Sequence, residues 1–180
     1  WLELFYDVAF IALVAQLTYL TYQYHHTWLD VFNFFTIGYI IFNTWWATTA
    51  NRNLKPNETT PDKVSIQVQM VGAFLMSLSM ADVFAGNYTG FFLTLFVVRM
   101  LQSLSLIRMY YYYPETRPVT YNILQGFLVG AFLWGVSSFV PMPYHLIVVL
   151  AALVIDILTP LSRGKGNTKR YLNVFHLQER

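Results

Sequence analysis

An all-α, polytopic transmembrane helix bundle of six spans, with a cytoplasmic N-terminus, is the fold this sequence predicts, on three observations. Of 180 residues, 56% are hydrophobic and 18% aromatic, while only 11% are charged, against about 25% in an ordinary soluble domain. The apolar residues come in runs of roughly 17 to 22, the length a helix needs to cross ~30 Å of hydrocarbon. Lys and Arg between the runs are confined to alternate loops.

The spans fall at about Leu4 to Tyr22, Val31 to Ala50, Val64 to Phe84, Phe91 to Tyr112, Tyr121 to Val140 and Tyr144 to Leu161. A transmembrane strand needs only ~9 to 11 residues of alternating polarity, and the run from Phe127 to Trp134 has no such alternation. Turn chemistry separates the runs at Lys55-Pro56-Asn57, Thr60-Pro61-Asp62, Ala85-Gly86-Asn87, Tyr113-Pro114-Glu115 and Pro141-Met142-Pro143. Tyr19, Tyr22, Trp28, Trp45, Trp46, the Tyr110 to Tyr113 run and Tyr144 gather near span ends, where amphipathic rings favour the headgroup zone.

Orientation follows from the basic residues, which are retained on the cytoplasmic side during insertion. Arg52, Lys55 and Lys63 lie between spans two and three. Arg108 and Arg117 flank the end of span four, and Arg163, Lys165, Lys169 and Arg170 follow span six. The loops after spans one, three and five hold no Lys or Arg. Residues 1–161 thus form the bundle, and residues 162–180 read as a cytoplasmic loop opening a further, truncated element. Residue 1 is Trp, so the chain reads as a piece of a longer protein.

Composition also excludes functions. A net charge of +2 with basic residues scattered over short loops leaves no nucleic-acid footprint. With no cysteine, disulfides, iron–sulfur clusters and cysteine nucleophiles are ruled out. The histidines lie at or beyond span ends (His25, His26, His145, His176), which argues against a bis-histidine haem. No cofactor and no metal site is predicted. HExxH, GxSxG and Walker A motifs are absent, so no catalytic residue is assigned.

Charges kept inside spans mark the candidate site, because a central Arg or Asp costs roughly 2.5 to 3.5 kcal/mol on insertion scales. Glu3 and Asp7 share one helical face in span one; they form a proton- or cation-handling pair or serve as interfacial anchors. Arg99 lies deep in span four with Gln102 and Ser103 on its face, as substrate or ion ligand or as buried glue. Asp156 interrupts the apolar run of span six. Counting ~1.5 Å per residue from the span ends puts Arg99 level with Gln16, and Asp7, Arg108 and Asp156 nearer the cytoplasmic face. Two polar layers follow, with Arg108 paired to Asp156 or Asp7. In span two, Asn33, Thr36, Asn43, Thr44 and Ala47 form a stripe that either lines an aqueous path or bonds neighbouring helices. Gly126 with Gly130, and Ala73, Ser77 and Ala81, repeat small residues every four positions and are helix-packing signals.

The opening Trp1-Leu2-Glu3-Leu4-Phe5-Tyr6-Asp7-Val8-Ala9-Phe10, then Gln16-Leu17, Val98-Arg99, Ile155-Asp156-Ile157-Leu158-Thr159-Pro160 and the closing His176-Leu177-Gln178-Glu179-Arg180 together resemble the bacterial low temperature requirement A family. Tyr6, Ala9 and Leu177 depart mildly from its pattern. The resemblance covers essentially the whole chain. It implies a multi-pass protein of the cytoplasmic membrane, a second half beginning at or after His176 as the bundle's natural partner, and a polar signature at Glu3, Asp7, Arg99, Asp156, His176, Glu179 and Arg180. Three function classes remain open: a transporter- or channel-like protein passing a small solute or ion through a charged cavity, a structural or sensory protein linked to growth in the cold, and an intramembrane lipid-modifying enzyme.

Overall fold

A computed structural model describes residues 2–24, 27–53 and 59–161. Among these described residues six helices follow one another: α1 (Leu2–Tyr24), α2 (Trp28–Asn53), α3 (Thr60–Phe84), α4 (Thr89–Tyr112), α5 (Arg117–Ser137) and α6 (Tyr144–Leu161). A single 3₁₀ turn, Pro114–Thr116, joins α4 to α5. Among the described residues there is no strand.

Helix ends are set by local chemistry lying just outside the apolar runs. Asp30 accepts from the Thr27 backbone N–H at 3.0 Å and hydroxyl at 2.7 Å, holding the first turn of α2. Asp62 does the same for Thr59 at 3.0 and 2.6 Å at the start of α3, where Pro61 occupies the first turn. Such Thr-x-x-Asp pairs satisfy donors that a helix start leaves open. This is why α2 begins at Trp28 rather than Val31, and α3 at Thr60 rather than Val64. α3 closes on Gly86, whose φ of 89° is costly for any residue with a Cβ. The N–H groups of Gly86 and Asn87 return to the carbonyls of Val83 and Asp82 at 3.1 and 2.8 Å, ending the helix in a Schellman motif.

Successive helices run antiparallel, as contacts between their ends show. Trp45 of α2 reaches Asp7 of α1, Arg108 of α4 reaches Thr59 of α3, and Thr89 of α4 reaches the Ser138 carbonyl beyond α5. The first residues of α1, α3 and α5 therefore share one end of the bundle with the last residues of α2, α4 and α6. Arg52, Lys63, Arg108 and Arg117 all gather at that basic end.

α4 and α5 pack most extensively, followed by α5 with α6, α3 with α4, and α1 with α3 and α2; α2 also touches α4. One apolar core joins α1 to α4 through Leu13, Ile40, Met76, Met80, Phe91 and Leu95, extended by Trp134, Val149 and Ala152. A second sits at the basic end among Ala47, Leu106, Met109, Ile123 and Phe127. Outward faces remain apolar: Phe5, Ile11, Phe74, Leu78, Phe132 and Ile147 are all more than 60% exposed, as lipid-facing positions require.

Among the described residues four helices are long and apolar enough to cross a bilayer: α1 over Leu4–Gln23, α3, α4 and α5. The apolar part of α6, Tyr144–Thr159, is shorter, and α2 is not among the four. Asn33, Thr36, Asn43, Thr44, Thr48, Thr49, Asn51 and Arg52 of α2 are buried, so its polar stripe faces protein rather than lipid. The expected helix count and boundaries thus hold to within a few residues, while length and composition alone support four spans.

Candidate functional site: a buried charged core

Arg99 sits ten residues into α4, 1% exposed, and its Nη2 donates to Asp156 Oδ2 of α6 at 2.8 Å. This corrects the depth layering expected from sequence. Asp156 lies twelve residues from the start of α6, so the two residues are nearly level when counted from the end opposite the basic loops. The expectation erred because α6 is shorter than α4, which makes a count from its other end place Asp156 too shallow.

The carboxylate is enclosed on the α5 side. Trp134 Nε1 donates to Asp156 Oδ2 at 3.1 Å. One turn earlier on the same helix, a Cβ on Gly130 would stand 2.7 Å from Asp156 Oδ1. Gly130 is therefore the seat of the charged group as well as a packing residue, and Gly126 one turn away leaves the room that Thr159 fills. Arg99 lies 5.2 Å from the centre of the Phe127 ring, a cation–π contact that offsets part of its desolvation. Its Nε has no hydrogen-bond acceptor among the described residues.

From Arg99 the polar contacts lead toward the basic end. Nη1 approaches Gln102 Oε1 at 3.4 Å, and Gln102 Nε2 donates to the Thr44 carbonyl and Thr48 Oγ1, both at 2.9 Å. The Thr48 hydroxyl donates to Gln69 Oε1 at 2.6 Å, and Gln69 Nε2 to Ser65 Oγ at 3.3 Å. A void of about 20 Å³, room for roughly one water, lies beside this chain, lined by Asn51, Arg52, Asp62 and Ser105 among others. Beyond Asp62 a recess of about 380 Å³ opens between Thr59, Arg108, Met109 and Tyr112. Asn43, Ala47, Asn51 and Thr159 border another void of about 10 Å³ between α2, α5 and α6.

Other sequence candidates fall elsewhere. Arg108 pairs with neither Asp156 nor Asp7; it is 3.6 Å from Asp62 Oδ1 and donates to Thr59 Oγ1 at 3.2 Å. The reason is chain direction, since antiparallel packing sets the end of α4 beside the start of α3. Asp7 accepts from Trp45 Nε1 at 2.8 Å between α1 and α2 and is not the partner of Arg99. Gln16 is half-buried and makes no hydrogen bond among the described residues. Ser103 is buried, but its hydroxyl returns to the Arg99 carbonyl of its own helix at 2.9 Å. Ala73 is buried in the main core, with Ser77 and Ala81 half-buried beside it. The side chain of Glu3, and the whole of His25, His26, His176, Glu179 and Arg180, lie outside the described residues.

Sequence reading missed Thr48, Gln69, Asp62 and Trp134. Thr48 continues the α2 stripe one turn past Thr44, and Gln69 interrupts an apolar run, so both left a signal. Trp134 left none, because an indole inside a span reads as apolar bulk.

An apolar exterior around helices with a hydrogen-bonded charged interior defines a polytopic α-helical membrane protein. The chain belongs to the bacterial low temperature requirement A protein (LtrA) family, whose family model matches residues 1–180. No curated protein and no solved structure matches it.

Proposed function

We propose that this chain is the polar-cored part of a transport protein of the bacterial cytoplasmic membrane, passing a small polar solute or ion, with its N-terminus and basic end facing the cytoplasm. The polar chain from the recess at Thr59 and Asp62 through Gln69, Thr48 and Gln102 to Arg99 and Asp156 carries this reading. Charge is held at mid-helix despite its cost in lipid, at the inner end of a line of side chains able to exchange hydrogen bonds. In this reading the conformation is closed: the voids along the line hold about one water, and separation of Arg99 from Asp156 opens the path.

The test is flux through the full-length protein in proteoliposomes, under imposed proton and cation gradients and by solute counterflow. Asp156→Asn and Arg99→Gln should each abolish a flux present in the unsubstituted protein while leaving the bundle folded. No flux under any gradient, or undiminished flux in a double variant with both charges replaced by apolar residues, refutes the proposal.

One observation favours a second reading. Trp134 and Gly130 enclose the pair as tightly as a packing contact, which suits a structural lock between α4, α5 and α6. Under that reading the apolar double variant keeps both stability and the cellular phenotype.

A further inference from the structure

Between α1 and α2 runs an open groove of about 580 Å³, distinct from the charged core. Its floor is buried Phe10 and Ile41, and its rims are Ile11, Val14 and Phe42, each more than half exposed. Asp7, in the second turn of α1, and Trp45 close it at the basic end, joined by the 2.8 Å hydrogen bond from Nε1 to Oδ1. From there the groove follows α1 for seven residues to Val14, about 10 Å at ~1.5 Å per residue, and ends beside Gly38.

We infer that this groove holds a phospholipid with a primary-amine headgroup, its ammonium on Asp7 and one acyl chain laid along Phe10, Ile41 and Phe42 toward the bilayer centre. Charge complementarity selects the occupant. Trp45 Nε1 is the one described partner of the Asp7 carboxylate, which leaves acceptor sites on the other oxygen. An ammonium donates to them, whereas a headgroup without an N–H donor leaves them unmet. Polarity along the groove matches a lipid in the leaflet at the basic end, with its headgroup at Asp7 and Trp45 and its chain toward mid-membrane. A Cβ on Gly38 would meet nothing closer than Leu17 Cδ2 at 3.6 Å, so that end is open floor for the chain terminus.

The experiment places the full chain in vesicles doped with chain-brominated ethanolamine or choline phospholipid and reads tryptophan quenching. The Trp45 contribution is taken as the difference from Trp45→Phe. The ethanolamine lipid should quench Trp45 at a several-fold lower mole fraction than the choline lipid, which carries no N–H donor. Asp7→Asn should erase that preference while both lipids still quench. Gly38→Leu, which leaves Asp7 intact and fills the groove, should weaken quenching by both. Equal quenching by the two lipids overturns the inference. So does the absence of Trp45 quenching by either, which would mean that a protein helix, from a second copy or another segment, covers the groove.

Discussion

Asp156 Oδ1 lies where a side chain on Gly130 would begin, 2.7 Å from the position of a Cβ. Alanine normally stabilises a helix by about 0.5–1 kcal/mol over glycine. Here it displaces a carboxylate already fixed by Arg99 and Trp134. Gly130→Ala should therefore destabilise by ~1–3 kcal/mol, the usual cost of overpacking, read as earlier thermal unfolding in detergent. Gly38→Ala, with an ordinary 3.6 Å contact to a flexible leucine, should be neutral or stabilising. Equal behaviour of the two would show that the carboxylate shifts freely.

The ion pair itself predicts strong non-additivity. Arg99→Leu or Asp156→Leu alone leaves an opposite charge buried, at a cost of roughly 3–5 kcal/mol. The double variant Arg99→Met with Asp156→Leu should recover most of that loss, since apolar replacements of a buried pair are often neutral. Chemical or thermal unfolding of the four proteins in one detergent forms the cycle, and additive losses would count against a direct pair.

At the basic end an arginine and an aspartate in contact should matter unequally. Arg108 is about one-third exposed and stands 3.6 Å from Asp62, a geometry worth ~1 kcal/mol or less. Asp62 also holds Thr59 by two hydrogen bonds, a cap worth about 1 kcal/mol by itself. Asp62→Ala should thus lower stability more than Arg108→Gln, and should increase hydrogen exchange in the first turn of α3 while Arg108→Gln leaves it unchanged.

These 180 residues hold no cysteine, so single cysteines placed in them report sidedness once any cysteine elsewhere in the full-length protein is replaced. With a cytoplasmic basic end, an impermeant maleimide should label Asn87→Cys on intact cells and Lys63→Cys only after permeabilisation. Both positions are exposed. Labelling of both from one side would refute α3 as a membrane span.

Most of the fold was legible because the bilayer imposes one requirement, continuous apolar length, that a single sequence displays. Boundaries slipped where the first turn is polar, as at Thr59 and Asp62, since capping residues do not belong to the apolar run they start. Arg99 and Asp156 were each visible as costly, but their pairing was not: it depends on α6 being shorter than α4 and on α5 thinning to glycine between them. Spacing likewise marked Gly126 and Gly130 as small, yet what fills the space, Thr159 and the Asp156 carboxylate, lies on another helix and leaves no trace in local periodicity.

The 57-residue separation of Arg99 from Asp156 has a consequence for biogenesis. Helices leave the ribosome in order, so α4 reaches the insertion machinery with its guanidinium unmatched, while Thr48 and Gln69 of the preceding helices already have each other. Until α6 arrives, that arginine is expected to depend on water or the insertion machinery for a partner. A chain truncated between α5 and α6 should therefore be degraded faster than one truncated after α3, which carries no arginine awaiting Asp156.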